Sequence, residues 1–198
     1  MIDYSKVVAV TNRHLCYKDY FEQIKKIIDI GVRTIIVREK DMTESGYLAL
    51  YEGVLKVCAA SGLPDGEILC IPHFYPKACD RFKSKTLHLP FAMFQEYVKE
   101  HENTIEQHCP IHIATSIHSV KEAVLAEKLG AAYITAGHIF VTDCKMGVMP
   151  RGLDFLGDVC RHVSIPVYAI GGINESNYKS ALDAGATKVC MMSEMMRI

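Results

Sequence analysis

The sequence has no basic excess, no long apolar run and no paired-cysteine motif, and each gap removes a class of function. Lys and Arg number 22 against 23 Asp and Glu, a net charge of −1. No cationic field is therefore available to hold nucleic acid. No apolar run is long enough to span a bilayer, so no membrane role is expected. The opening Met1-Ile2-Asp3-Tyr4-Ser5 lacks the charged-then-apolar pattern of a secretory signal, and the expected location is cytoplasmic. Among the eight cysteines no two form a C-x-x-C pair, which argues against a zinc site or a dithiol redox centre. Cys70 and Cys190 sit in apolar runs, and reduced core thiols are expected. His14, His73, His88, His112 and His118 fall near or within strand-like runs but match no metal-ligand spacing. Packing or surface roles are expected for most of them, and solvated positions for His101 and His108.

What is present is an alternation of short β-rich runs and amphipathic segments. The chain of 198 residues, 49% hydrophobic and 23% charged, fits one domain over 1–198. Strand-like runs occur at 7–10, 34–37, 68–71, 86–89, 111–114, 133–136, 166–170 and 188–192. Helical spacing is expected between them, at 18–29, 43–60, 75–82, 92–107, 119–129, 153–163 and 175–184. Such alternation implies parallel strands joined by crossovers, an α/β class. Eight units in this length fit a compact (β/α)8 TIM barrel. An open doubly wound sheet, the runner-up, would show fewer strands and a glycine-rich first turn. No full helix follows the eighth run before Ile198. The last helix is thus expected to be largely missing, through truncation or through a homodimer that covers strand eight.

In such a barrel the chemistry sits at the C-terminal ends of the strands, with phosphate often bound after strands seven and eight. Gly171-Gly172 follows strand seven and Ser193 follows strand eight. Alone, the glycine pair fits a tight turn; at this position, bare backbone donors suit an anion. Arg38 and Lys40 lie two apart at the end of strand two and point the same way on an extended chain. They form either a cationic clamp or exposed strand-end charges. Lys145 and Arg151 add charge to the long loop after strand six, which suits an anionic small-molecule substrate. His138 ends strand six, where an imidazole can take and return a proton near neutral pH. Asp143 either orients His138 or caps a turn. Cys144 shows no feature that would lower its pKa and reads as a spectator.

Six motifs carry a family resemblance: Val37-Arg38-Glu39-Lys40, Ser116-Ile117-His118-Ser119, Gly137-His138-Ile139-Phe140-Val141-Thr142-Asp143-Cys144-Lys145, Arg151-Gly152-Leu153, Ala169-Ile170-Gly171-Gly172-Ile173 and Met192-Ser193. With them the chain resembles the thiamine phosphate synthase/thiazole tautomerase superfamily along nearly its whole length, and a (β/α)8 barrel is implied. The synthase branch uses magnesium, with an Asn-Asp pair after strand three and an Asp after strand four. Here those regions read Cys70-Ile71-Pro72-His73-Phe74 and Leu87-His88-Leu89-Pro90-Phe91-Ala92-Met93. Neither supplies the oxygen ligands that magnesium needs. The strand-six loop is similar to that of the tautomerase branch, with His138 where the synthase usually has proline.

The resemblance implies aromatisation of a carboxylated thiazole phosphate by proton transfer, with His138 as acid and base. Gly171, Gly172, Met192 and Ser193 fall in the phosphate-binding turns. Ser116 matches a substrate contact, and Arg38, Lys40 and Lys145 match anion contacts. No metal or other cofactor is expected; magnesium enters only if the chain is instead a thiamine phosphate synthase with an altered metal site. A non-catalytic regulator that binds thiazole or thiamine phosphates is the remaining alternative.

Overall fold

A computed structural model describes residues 2–101 and 112–198. The strand runs are short, rich in β-branched residues and almost wholly buried. They are β1 Val7–Val10, β2 Thr34–Val37, β3 Leu69–Pro72, β4 Thr86–Pro90, β5 His112–Ile117, β6 Ile134–Gly137, β7 Val167–Ile170 and β8 Lys188–Met191. Among the described residues seven α-helices separate them: α1 Tyr20–Asp29, α2 Glu44–Ala59, α3 Lys77–Phe82, α4 Phe91–Glu100, α5 Val120–Lys128, α6 Gly152–His162 and α7 Tyr178–Asp183. Side-chain oxygens of Asp19, Thr43 and Ser119 cap α1, α2 and α5 by accepting from first-turn amides.

All eight strands are parallel, in the order β3-β2-β1-β8-β7-β6-β5-β4. Between β3 and β4 the ring closes through one parallel bridge, His73 to His88, with the Phe74 amide donating to the His88 carbonyl at 3.1 Å. The fold is the expected TIM barrel. Strand alternation then sorts the core. Val7, Ala9, Ile35 and Leu87 pack outward against the helices, while Val8, Val10, Ile36, Ile71, Tyr133 and Cys190 fill the barrel interior.

Two buried tyrosines pin α2 to the strands beneath it. The Tyr47 hydroxyl donates to the Val37 carbonyl at 2.7 Å and accepts from the His73 amide at 2.9 Å. The Tyr51 hydroxyl donates to the Cys70 carbonyl at 3.0 Å. Each bond satisfies backbone at the end of β2 or along β3, where an unpaired group would be costly.

Some boundaries move for local reasons. The helix expected from 175 starts at Tyr178, because Asn174 and Asn177 side chains accept from the Ser176 and Asn174 amides and build a turn instead. The helix expected over 92–107 is described as Phe91–Glu100; His108, Cys109, Ile111 and the rest of 102–111 lie outside the described residues. His101 is half-buried rather than solvated, stacked on Tyr97 at 4.1 Å. After β8 the chain turns instead of building a full helix. Met195 and Met196 are buried there, and the Gln23 amide of α1 donates to the Met195 carbonyl at 2.7 Å. Among the described residues no helix is long and apolar enough to cross a membrane.

Replacing Tyr47 by Phe leaves a carbonyl and an amide unpaired in the core. The expected loss is about 2 kcal/mol of unfolding free energy, read by urea denaturation, with an unchanged m-value.

Candidate active site

A cavity of about 530 Å³ opens at the C-terminal ends of the strands. Its wall includes His138, Arg38, Lys40, Ser116, Lys145, Gly171, Gly172, Met192 and Ser193. Arg151 instead turns to the backbone, where its Nε donates to the Gly137 carbonyl at 3.1 Å.

His138 is 5% exposed. Its Nε2 lies 3.3 Å from the Val148 carbonyl. Because a carbonyl only accepts, Nε2 carries the proton in the neutral ring and Nδ1 keeps a lone pair. The Val148 carbonyl, rather than Asp143, is thus what the imidazole engages. The backbone around it is tied on both sides. His118 Nδ1 donates to the Gly137 carbonyl at 2.9 Å, and the Arg151 amide donates to the His138 carbonyl at 2.9 Å. His118 was expected to pack or lie at the surface; it is exposed, but it lines the cavity and ties the end of β6.

The two glycines after β7 do more than bare a backbone. A Cβ on Gly171 would sit 2.3 Å from the His138 Cβ, and one on Gly172 would sit 2.2 Å from the Val141 carbonyl oxygen. Both have positive φ, +100° and +67°. No L side chain fits there, in space or in conformation. The glycine pair lets the β6 loop, and His138 with it, press against the end of β7.

Arg38 and Lys40 both line the cavity because Glu39 between them turns the other way and is buried. The Glu39 carboxylate accepts from the Thr11 hydroxyl at 2.7 Å, from the Arg13 amide at 3.1 Å and from the Arg13 guanidinium at 3.1 Å. The Arg38 amide donates to the Thr11 hydroxyl at 2.9 Å. Desolvation lowers the Lys40 ammonium below its ordinary range, and the nearby charges of Arg38 and Lys145 add to the effect. Arg38, Lys40 and Lys145 therefore gather at the mouth, with Arg197 and the carboxylates of Glu122, Asp143 and Glu194 also on the cavity wall.

The floor is polar but uncharged. Thr135 donates to the Ser116 hydroxyl at 2.9 Å, Ser116 meets His88 Nε2 at 2.9 Å, and His88 Nδ1 meets the Tyr133 hydroxyl at 3.1 Å. His73 stacks on His88 with ring centroids 5.4 Å apart, and both line the cavity. Burial, with the charges of Lys40 and Arg38, lowers His88 to about 3; burial, His88 and the same cations push His73 well below the usual range. Both imidazoles stay neutral at physiological pH. Packing or surface roles were expected for most of the histidines in this group. The missed signal is alternation: Leu87 and Leu89 face the helices, so His88 between them faces the barrel axis.

Magnesium does not fit the ends of β3 and β4. His73, Phe74, Pro90 and Phe91 stand there, and magnesium requires oxygen donors. The cavity carboxylates come from elsewhere, and that of Glu122 accepts from the His118 amide at 2.6 Å. Among the described residues no three His, Cys, Asp or Glu side chains gather as metal ligands would.

Fold and cavity together define a (β/α)8 barrel with a cationic mouth, a neutral polar floor and a buried histidine at the end of strand six. A family profile for thiamine monophosphate synthase matches residues 7–195, and the chain belongs to that family of thiamine biosynthesis. A protein of Aquifex aeolicus, provisionally named a second thiamine-phosphate synthase, is 30% identical over 188 residues, 95% of this chain and 96% of that one. Thiamine-phosphate synthase of Clostridium acetobutylicum is 27% identical over 98% of this chain and 88% of its own. The structure titled thiamine phosphate pyrophosphorylase from Pyrococcus furiosus superposes with a TM-score of 0.78 at 24% identity, covering 98% of this chain and 88% of that one; at this identity it speaks for the fold. These names are those of the transferase branch.

Gly171→Ala forces its Cβ into His138, and is expected to cost at least about 2 kcal/mol in urea unfolding and to weaken ligand binding. A second expectation concerns pH. His88 ordinarily titrates at 6.5 in the unfolded chain but at about 3 when folded. Above the unfolded value both states are neutral and nothing is lost. As pH falls below it, only the unfolded chain takes the proton, and stability drops by about 1.4 kcal/mol per pH unit for this group. Urea titrations between pH 6.5 and 5 should therefore show a shallower decline in His88→Gln than in wild type.

Proposed function

We propose that this chain aromatises a carboxylated thiazole phosphate by moving a proton, as the thiazole tautomerase branch would. The observation that carries the reading is the state of His138: a buried imidazole in the cavity wall whose Nε2 is held by the Val148 carbonyl, leaving Nδ1 to act as base. Nδ1 takes the proton from the ring C–H, the electron pair enters the ring, and the exocyclic carbon receives a proton in return. The same imidazolium, formed by that transfer, can deliver it. Atoms and charge balance with no oxidant, nucleotide or metal.

The substrate is an anionic small molecule. Gly172, Ser193 and Lys145 hold the phosphate at the ends of β7 and β8, with Gly171 and Met192 shaping that end. Arg38 and Lys40 meet the carboxylate. Ser116, already accepting from Thr135, contacts the ring end beside the neutral histidines. A charged floor would bind the carboxylate there and reverse the substrate; two neutral imidazoles do not.

The second reading is the synthase itself, which joins a pyrimidine diphosphate to a thiazole phosphate. The relatives' names favour it, and Arg38 and Lys40 would then meet the diphosphate. Against it stand the aromatic, imidazole and proline groups where its magnesium carboxylates belong.

The test uses both assays on one preparation. Thiazole absorbance from the non-aromatic substrate should rise with wild type, and fall about 100-fold or more in rate with His138→Gln. Equal rates in the two proteins would remove His138 from the chemistry. Magnesium-dependent formation of thiamine phosphate would instead establish the synthase reading. Calorimetric binding of thiazole phosphate without turnover in either assay would leave a regulatory binder. Lys145→Ala is expected to raise KM about tenfold with little change in kcat, because it removes a contact that does not change along the reaction.

A further inference from the structure

We propose that Cys58 and Cys70 are a disulfide-forming pair, a modification site outside the cavity that takes low-molecular-weight disulfides of the glutathione type as oxidant. Their sulfurs lie 3.2 Å apart, twelve residues apart in sequence. Cys58 is in the last turn of α2 and Cys70 is in β3. Neither lines the cavity. A search for C-x-x-C motifs misses the pair, because helix and strand bring it together across a loop.

The two sulfurs have different surroundings, which fixes the order of events. Cys58 is half-buried and Cys70 is buried. The Tyr51 hydroxyl holds the Cys70 carbonyl at 3.0 Å and the strand pairs Cys70 with Ile35, so Cys70 cannot move far. Cys58 lies one residue before the end of its helix, where backbone adjusts most easily. The two sulfurs share a hydrogen bond in which either thiol can donate; that contact lowers the Cys58 pKa, while the contact and burial raise Cys70. The half-buried thiols of Cys16 and Cys160 are instead pushed up by desolvation. Cys58 is therefore the attacking thiolate and Cys70 the resolving thiol.

The Cys58 thiolate attacks one sulfur of oxidised glutathione, forming a mixed disulfide and releasing one glutathione thiolate. Cys70 gives up its proton to solvent and attacks the Cys58 sulfur. The second glutathione thiolate leaves, and a Cys58–Cys70 disulfide remains. The protein has lost two electrons and two protons, and one oxidised glutathione has become two reduced ones. The cross-link ties α2 to β3, the strand whose single bridge to β4 closes the barrel.

The whole reduced chain is incubated with oxidised glutathione under native conditions, quenched with an alkylating agent and digested without reductant. The expected product is the Cys58 peptide joined to the Cys70 peptide, lighter by two hydrogens and cleaved by dithiothreitol. Cys58→Ser should abolish it, and Cys70→Ser should leave glutathione attached to Cys58. The thermal midpoint of the oxidised wild type should rise by about 5 °C, with no rise in Cys58→Ser. Stable glutathione on wild-type Cys58 with Cys70 still open to alkylation on unfolding would overturn the proposal, as would both sulfurs remaining unmodified. Cys58→Ala, at a half-exposed site, serves as a second variant should Cys70→Ser fail to fold.

Discussion

The backbone contact between Gly171 and His138 governs the active end of this barrel. With no Cβ at Gly171, the turn after β7 lies against the residue that ends β6. Everything functional on that side follows from it. His138 is pressed into the cavity wall, its ring reaches the Val148 carbonyl, and the loop that carries Lys145 starts from a fixed point. Hydrogen bonds from His118 and Arg151 then hold the strand end in place. Without the two positive-φ residues the same side chains would still be present, but on a loop set farther from β7.

Charge is divided along the depth of the cavity. The mouth gathers Arg38, Lys40 and Lys145, while the floor holds imidazoles and hydroxyls that stay neutral. Each half reinforces the other. The cations suppress protonation of His73 and His88, and the buried Glu39 turns Arg38 and Lys40 inward by facing away. A ligand with an anionic end and an uncharged ring matches such a gradient. Burial and the nearby cations keep His73 and His88 from taking protons.

The barrel itself was legible because each strand run is short, β-branched and followed by helical spacing, so counting the runs yields the topology. The ends of strands two, six, seven and eight were legible by position, since barrel chemistry gathers there. Ser116 required the family resemblance: a serine in an apolar run carries no signal of its own. His73 and His88 escaped because a histidine within an apolar run also reads as packing, and their neutrality depends on Arg38 and Lys40, distant in sequence. The nearness of Cys58 to Cys70 escaped for the same reason, as it depends on where α2 comes to rest on β3. The helix boundary at Tyr178 moved because side-chain turns at Asn174 and Asn177 compete with the first helical turn, a contest that periodicity does not register.

The barrel's hydrogen-bonded hoop is one bridge thick between β3 and β4 and several rungs thick elsewhere. Mechanically this is a split ring. Such a ring widens at its gap while the remaining ladders stay whole, and here the gap is spanned by the two stacked imidazoles that floor the cavity. The fold's thinnest seam and the floor of its cavity are therefore the same place, so the two stacked histidines belong at once to the barrel's closure and to the cavity lining.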